Sequence, residues 1–424
     1  MQTTTTPAPL AAFAPLFAEP AGSPIRELFP YLSRPGMLSL AGGYPSASLL
    51  DAEGLAHAAS HALGQGISAL QYGATEGLPA MREALAQHTH ARGMPASAND
   101  VLVTTGSQQA FDLLVRVLLQ PGDTALVEVP AYPATLQALR LAQAHIVGVP
   151  MDADGMDTDA LAALLAQLPA AQRPKLLYTV PNFSNPRGSL LSAQRRQALV
   201  QLALQYGFWV VEDDPYGELH FTHAQASNGK DSRSDSNTPA SLHSMAAQLV
   251  PAESNPVIYL SSLSKTVAPA LRIGWMLSNP ALLRRCAVAK QTVDLCTSPM
   301  AQMIAVSYLH SGRYAPTVAR ARTEYQRRMH ALVQGLNALP GQPIRCTMPA
   351  GGMFVWADIA PGISPQRLFE AAVAQGVVYV PGKAFYPDAA ERHALRLSFA
   401  ATDVQDMTEA VQRLGRATLQ AQQS

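Results

Sequence analysis

The sequence predicts an α/β protein: a large, mostly parallel sheet sandwiched by helices, followed by a smaller α+β unit. Three observations predict this. From about residue 97, short continuous apolar runs alternate with longer amphipathic stretches, the pattern of strands buried on both faces. Acidic groups and a lysine follow directly on the carboxyl ends of those runs, where ligands sit in sheets of this kind. After about residue 300 the composition turns helical, and a pair of β-runs follows.

Taken in order, 101–105 reads as a strand and 108–119 as a helix with Phe111, Leu114, Val115 and Leu118 on one face. Pro121-Gly122-Asp123 turns the chain into the run 125–129. Strand 175–180, helix 194–206 and strand 208–211 repeat the alternation, and strands 257–260 and 273–276 follow. Helix 318–336 and strands 352–356 and 395–399 fall in the smaller unit. Residues 1–36, rich in Pro and Ala, read as a loosely structured arm. Between His223 and Asn255, Ser, Asn, Asp and Gln dominate, which predicts a flexible surface insertion.

With 424 residues, 48% hydrophobic and 14% charged, the chain has ample apolar material for a large interior, and its zero formal net charge argues against a nucleic-acid partner. Cys286, Cys296 and Cys346 are too scattered for a disulfide framework or a metal site, and suit a reducing compartment. No basic-then-apolar leader opens the chain, and no apolar stretch reaches the ~18 residues of a membrane span. A cytoplasmic protein without membrane contact is expected.

The strongest local signal is Ser261-Ser262-Leu263-Ser264-Lys265-Thr266, followed by Arg272-Ile273-Gly274-Trp275. Lysine is rarely buried. Desolvated after a strand, it acquires the neutral amine that Schiff-base chemistry needs. Ser262, Ser264 and Arg272 can supply donors to a phosphate, although an isolated Ser-x-Lys ordinarily marks an exposed loop. The run Val211-Glu212-Asp213-Asp214-Pro215-Tyr216 places carboxylates after a buried strand. Alone it reads also as a helix N-cap or as a Mg²⁺ or Ca²⁺ site. Thr105-Gly106-Ser107-Gln108 lies between strand and helix, where backbone N–H groups make an anion site, or Ser107 a plain N-cap. Asn185 falls in a Pro- and Gly-marked loop, and Tyr132 could stack on a flat ring or simply fill the core.

Together and in this order, these segments resemble the fold-type I aminotransferases that use pyridoxal 5′-phosphate (PLP). The likeness is closest to the 2-aminoadipate and kynurenine aminotransferase subgroup, whose fold also forms half of the MocR-type transcription regulators. It runs from Ser23-Pro24-Ile25-Arg26 and Gly42-Gly43-Tyr44-Pro45 to Arg396-Leu397-Ser398-Phe399. The resemblance implies that Lys265 carries PLP and moves the reacting proton, and that Asp213 pairs with the pyridine nitrogen. Asn185 and Tyr216 would then hold the phenolic oxygen O3′, Tyr132 the ring face, and Ser107, Gln108, Ser262, Ser264 and Arg272 the phosphate. Arg396 would clamp the substrate α-carboxylate, beside Asn185 and Gly43. Arg26, on the arm, would set specificity. Tyr72 resembles the tyrosine that reaches into the neighbouring subunit's phosphate site, which implies a homodimer with active sites at its interface.

The resemblance further implies an arm and part of a small domain over 1–55, a PLP-binding domain over 56–300 with the insertion at 223–255, and a small α+β domain over 301–424. The smaller domain would be built from both termini. The expected reaction moves an amino group from an aromatic, branched-chain or 2-aminoadipate-like L-amino acid to a 2-oxo acid, 2-oxoglutarate above others, without a metal. Arg187 stands where the family usually has threonine, within Asn185-Pro186-Arg187-Gly188. A PLP-dependent lyase on the same scaffold is the alternative. A PLP-sensing regulator is disfavoured, because only about forty residues precede Gly42-Gly43, fewer than a DNA-binding domain needs.

Overall fold

Eight strands make the central sheet: β1 (Val101–Thr104), β2 (Thr124–Val129), β3 (His145–Asp152), β4 (Gly155–Met156), β5 (Leu176–Thr179), β6 (Trp209–Asp213), β7 (Val257–Ser262) and β8 (Gly274–Leu277). The computed structural model describes residues 10–18, 22–221, 238–388 and 390–423. The strand order is β1-β8-β7-β6-β5-β2-β3-β4. From β3 to β7 every pairing is parallel, and β8 runs antiparallel to both β7 and β1.

Successive side chains of a strand face opposite sides of a sheet, and both sides are covered here. Ala125, Val127, Leu176, Tyr178 and Val211 face one apolar cluster, whereas Leu126, Leu177 and Val210 face another. Burial on both faces is why these strands read as unbroken apolar runs rather than alternating ones. Helices α1 (Pro79–Ala91), α2 (Ser107–Leu118), α3 (Ala193–Tyr206), α4 (Leu242–Ala247) and α5 (Pro280–Val293) supply the two covering layers. The parallel strands all point one way, so the segments following β1, β2, β5, β6 and β7 emerge along one edge. Strand β8 starts at that edge, so Arg272 is there as well.

The second sheet contains β9 (Ile344–Cys346), β10 (Phe354–Ile359), β11 (Val380–Pro381) and β12 (Ala394–Ser398), antiparallel in the order β9-β10-β12-β11. Helix α6 (Tyr314–Asn337) packs on it through residues such as Leu332 and Leu336. The N-terminal segment joins this region too. Leu38–Ser39 pairs in parallel with Val377–Val378, and the Ser398 N–H donates to the Leu40 carbonyl at 2.7 Å.

The expected surface insertion divides in two. Residues 223–237 lie outside the described residues. Residues 238–255 depart from expectation, because α4 is part of the core: Leu242 and Ala246 are fully buried beside Leu177, Val210 and Val257. Its polar composition reflects capping. The Ser241 hydroxyl accepts from the Ser244 N–H at 3.0 Å, and the buried Glu212 carboxylate accepts from the Leu242 and His243 N–H groups at 3.0 and 2.9 Å. Truncating Leu242 to alanine should therefore cost about 2–5 kcal/mol of stability in urea unfolding. A loss near zero would mean that α4 is a surface element after all.

Candidate active site

A cavity of about 660 Å³ opens at the carboxyl edge of the central sheet, within the range of small-molecule sites. Ser107, Gln108, Tyr132, Asp213, Ser262, Ser264, Lys265 and Arg272 all line it. A second recess of about 210 Å³ is lined by Gly43, Tyr132, Asn185, Tyr216 and Arg396, with Ile25, Phe29 and Leu32 from the N-terminal arm. Tyr132 borders both. Lys265 joins them as well, since its Nζ donates to the Gly43 carbonyl at 2.8 Å.

Three adjacent carboxylates end β6, and the pleat sends them to different partners. Glu212 caps α4 and lies 3.8 Å from the buried Arg196 guanidinium. Asp214 forms an ion pair with Arg92 and accepts from the Tyr259 hydroxyl at 3.1 Å and the Gly217 N–H at 2.9 Å. Asp213 alone lines the cavity. Its Oδ2 accepts from the Tyr178 hydroxyl at 2.6 Å, whereas the buried Oδ1 has no hydrogen-bond partner among the described residues. Divided in this way, the trio does not present the clustered oxygens of a hard-cation site.

Burial raises the Asp213 pKa to about 7, helped by the neighbouring Asp214 and opposed by Tyr178 and Lys265. Burial also lowers Lys265 to about 8, reinforced by the positive charges of Arg396 and Arg272 and opposed by Asp213. A carboxyl and an amine with ordinary values far apart have thus been drawn together near neutrality. Such displacement is characteristic of groups that exchange protons in a reaction.

One end of the cavity is built for an anion. The first turn of α2 leaves the N–H groups of Ser107, Gln108 and Gln109 without helical acceptors. Gly106, at φ +84°, and Gly274 make the approach possible: a Cβ on Gly274 would lie 2.5 Å from the Gly106 carbonyl carbon and 2.6 Å from the Ser107 nitrogen. Arg272 lies across this turn, donating to the Thr105 carbonyl at 3.2 Å and the Ser264 hydroxyl at 3.3 Å. The Ser262 hydroxyl donates to Ser264 at 2.8 Å, so the small polar residues form one connected wall.

Arg396 on β12 is fully buried beneath the recess. It donates to Asn185 Oδ1 at 2.8 Å and to the Ala41 carbonyl at 2.5 Å, two of its five N–H groups. Its buried Nε has no partner among the described residues. The rings of Phe354 and Phe385 lie 4.4 and 5.2 Å from its guanidinium carbon and hold the plane. A carboxylate is the natural complement to such a guanidinium.

Two expected residues lie elsewhere. Arg26 is exposed and lines neither cavity, so the arm meets the recess through Ile25 and Phe29 instead. Their side chains project from the turn that carries Arg26 outward. Tyr72 is 78% exposed and lines neither cavity of its own chain. Sequence reasoning missed Tyr178, a strand residue whose hydroxyl holds Asp213, and the two phenylalanines under Arg396. Nothing local distinguishes these from core aromatics.

The anion turn, lysine, half-satisfied buried carboxylate and flanking tyrosine match the chemistry of PLP: a phosphate, an aldehyde, a ring nitrogen and a flat face. A family model described as aminotransferase class I and II matches residues 39–414. The chain is 36% identical to aromatic-amino-acid aminotransferase 1 of Thermococcus litoralis, covering 96% of this chain and 95% of that one. It is 37% identical to the 2-aminoadipate transaminase of Thermus thermophilus, with 93% of each covered. Among solved structures, the T. thermophilus α-aminoadipate aminotransferase LysN, complexed with N-(5′-phosphopyridoxyl)-L-leucine, superposes with a TM-score of 0.84 at 36% identity, over 96% of this chain and 97% of that one. The multiple substrate aminotransferase of Thermococcus profundus gives 0.87 at 35% identity, over 97% and 98%. This chain belongs to the class I and II aminotransferase family and is a PLP-dependent enzyme of amino-group transfer.

Proposed function

We propose that this aminotransferase takes its amino group from an apolar L-amino acid, aromatic or branched-chain, and delivers it to a 2-oxo acid such as 2-oxoglutarate in a ping-pong exchange. The observation that carries the donor class is the composition of the recess: beyond Arg396, its arm-side wall is Ile25, Phe29 and Leu32, with no lysine or arginine among the described residues that line it to meet a distal carboxylate. The name of the T. litoralis relative and the leucine adduct held by LysN agree with this class, whereas the names of LysN itself and of the T. thermophilus transaminase carry 2-aminoadipate, which makes the donor panel the deciding measurement.

PLP, when bound, supplies a carbonyl that condenses with amines and a protonated ring that takes up electrons released at the substrate Cα. The chain's own residues do the rest. Ser107, Gln108, Ser262, Ser264 and Arg272 would hold the phosphate, and Tyr132 the ring face. Asp213 Oδ1 would accept the ring N–H while Tyr178 occupies Oδ2, and Asn185 and Tyr216 would hold the phenolic oxygen. Arg396 binds the substrate α-carboxylate and directs the side chain toward the arm. Lys265 then lies between both cavities, where its Nζ would take the Cα proton and deliver it to the carbon on the other side of the amino nitrogen. The apolar arm closes the recess and excludes water.

We extend the proposal to a cytoplasmic homodimer. Ile67, Leu70 and Tyr72 are 79%, 71% and 78% exposed within six residues of chain, an apolar segment that a second copy would cover. No helix among the described residues is long and apolar enough to cross a membrane. The division at 1–55, 56–300 and 301–424 is also proposed, with the pairing of Leu38–Ser39 and Val377–Val378 supporting a small domain made from both ends.

Replacing Lys265 with alanine should abolish the visible absorbance of lysine-bound cofactor and lower kcat by about 10³-fold. Retention of either would remove the lysine from this role. Capture of added PLP by cofactor-free protein should be pH-dependent, because only the neutral amine reacts. Its rate should rise about tenfold per pH unit below about 8 and level off above it. A profile still rising at pH 10 would mean an unperturbed lysine. In a donor panel, kcat/KM for phenylalanine and leucine should exceed that for 2-aminoadipate, and Phe29→Ala should reduce the phenylalanine value by roughly 10-fold. A preference for 2-aminoadipate would overturn the proposed donor class.

A further inference from the structure

Behind the phosphate-binding turn lies a group of hydrogen-bonded polar residues, part-buried around the fully buried Lys290, that the mechanism does not use. Asp294 follows directly on α5, whose last residue, Val293, lines the cofactor cavity. One of its oxygens, Oδ2, accepts from the Thr105 hydroxyl at 2.9 Å and from Gln109 Nε2 at 2.7 Å. The other, Oδ1, accepts from Lys290 Nζ at 2.5 Å, and Lys290 is fully buried. Gln109 in turn accepts the Thr105 N–H at 2.8 Å. With Arg272 donating to its carbonyl, Thr105 is held at its N–H, its hydroxyl and its carbonyl. It is the residue between β1 and Gly106.

A carboxylate behind an anion site is electrostatically unfavourable unless its charge is neutralised, and a buried lysine without a partner is costly as well. The pair resolves both problems, leaving acceptor capacity without net charge. We infer that Asp294, neutralised by Lys290, is a positioning residue for the cofactor phosphate: it braces Thr105 and Gln109 so that the Gly106–Ser107 turn stays aimed at the anion. This rests on the assignment of the α2 turn to the PLP phosphate.

The test compares the dissociation constants of cofactor-free protein for PLP and for pyridoxal, which lacks the phosphate. Wild-type protein must first prefer PLP; equal affinities would refute the phosphate assignment itself, before any variant is examined. The double variant Lys290→Met/Asp294→Ala removes the brace and leaves no unpaired buried charge. Its PLP dissociation constant should rise at least about tenfold while that for pyridoxal stays within about twofold. Lys290→Met/Asp294→Asn keeps a neutral acceptor and should recover most of the loss. If the alanine variant does not fold, Thr105→Val reads the same contact alone and should weaken PLP about threefold, with pyridoxal unchanged. Equal weakening of both ligands, or of neither, would overturn the inference, as would an asparagine variant no better than the alanine one.

Discussion

Three consecutive carboxylates at the end of one buried strand impose the condition that the rest of the molecule meets. A buried carboxylate must be hydrogen-bonded or paired, or it is protonated. Glu212 is met by the N-terminus of α4 and by Arg196, and Asp214 by Arg92, Tyr259 and the turn at Gly217. Those contacts fix a covering helix on one side and the β6 exit on the other. The same exit carries Tyr216 to the recess. Only Asp213 is left half-satisfied, with Oδ1 unpartnered among the described residues, and it alone of the three lines the larger cavity. One strand end thus provides both structural anchors and a reactive position, separated by the two-residue period of the pleat.

The substrate end follows a different logic. Arg396 comes from the second sheet, is held flat between two phenylalanines, and reaches the N-terminal segment through the Ala41 carbonyl. Lys265 reaches that segment as well, at Gly43. Three parts of the chain therefore meet around one small space. The cofactor side is rigid sheet and helix terminus; the specificity side is a loop and an arm. Loops carried on a rigid scaffold tolerate change better than the scaffold does, so the two sides differ in how freely their sequences can vary.

Much of the fold was legible because burial on both faces leaves a strong mark on sequence. Strands β1, β2 and β5 to β8 appear as continuous apolar runs, and the residues after them are chemically out of place, whereas the half-exposed β3, interrupted by Gly148 and Pro150, and the two-residue β4 leave no such mark. Lys265, Asp213 and Arg396 were legible only as a set, since each alone has a commoner explanation. What stayed hidden depends on pairings across long separations. Tyr178 reads as an ordinary strand aromatic until Asp213 is seen beside it. Lys290 belongs to no motif in the sequence, although it is fully buried and donates to Asp294 four residues on. Helix α4 was obscured because its serines and the polar residues around it resemble loop composition, whereas its stability comes from a carboxylate thirty residues away in sequence. Arg26 was the reverse case: its charge drew attention, yet it is exposed, and the arm residues that line the recess are its neighbours Ile25 and the half-exposed Phe29.

The short pairing of Leu38–Ser39 with Val377–Val378 also determines when the site can exist. The acceptors for Lys265 and Arg396, at Gly43 and Ala41, follow immediately on that first strand. During synthesis the strands of the central sheet, which lie between Val101 and Leu277, are all made before the second sheet begins at Ile344. The strand that fixes Ala41 and Gly43 must wait for its partner, Val377–Val378, which follows the whole central sheet in the chain. A nascent chain thus holds its lysine and carboxylate on a finished sheet while the substrate side is still open. Completion of the active site therefore requires the chain as far as Val377–Val378 and Arg396.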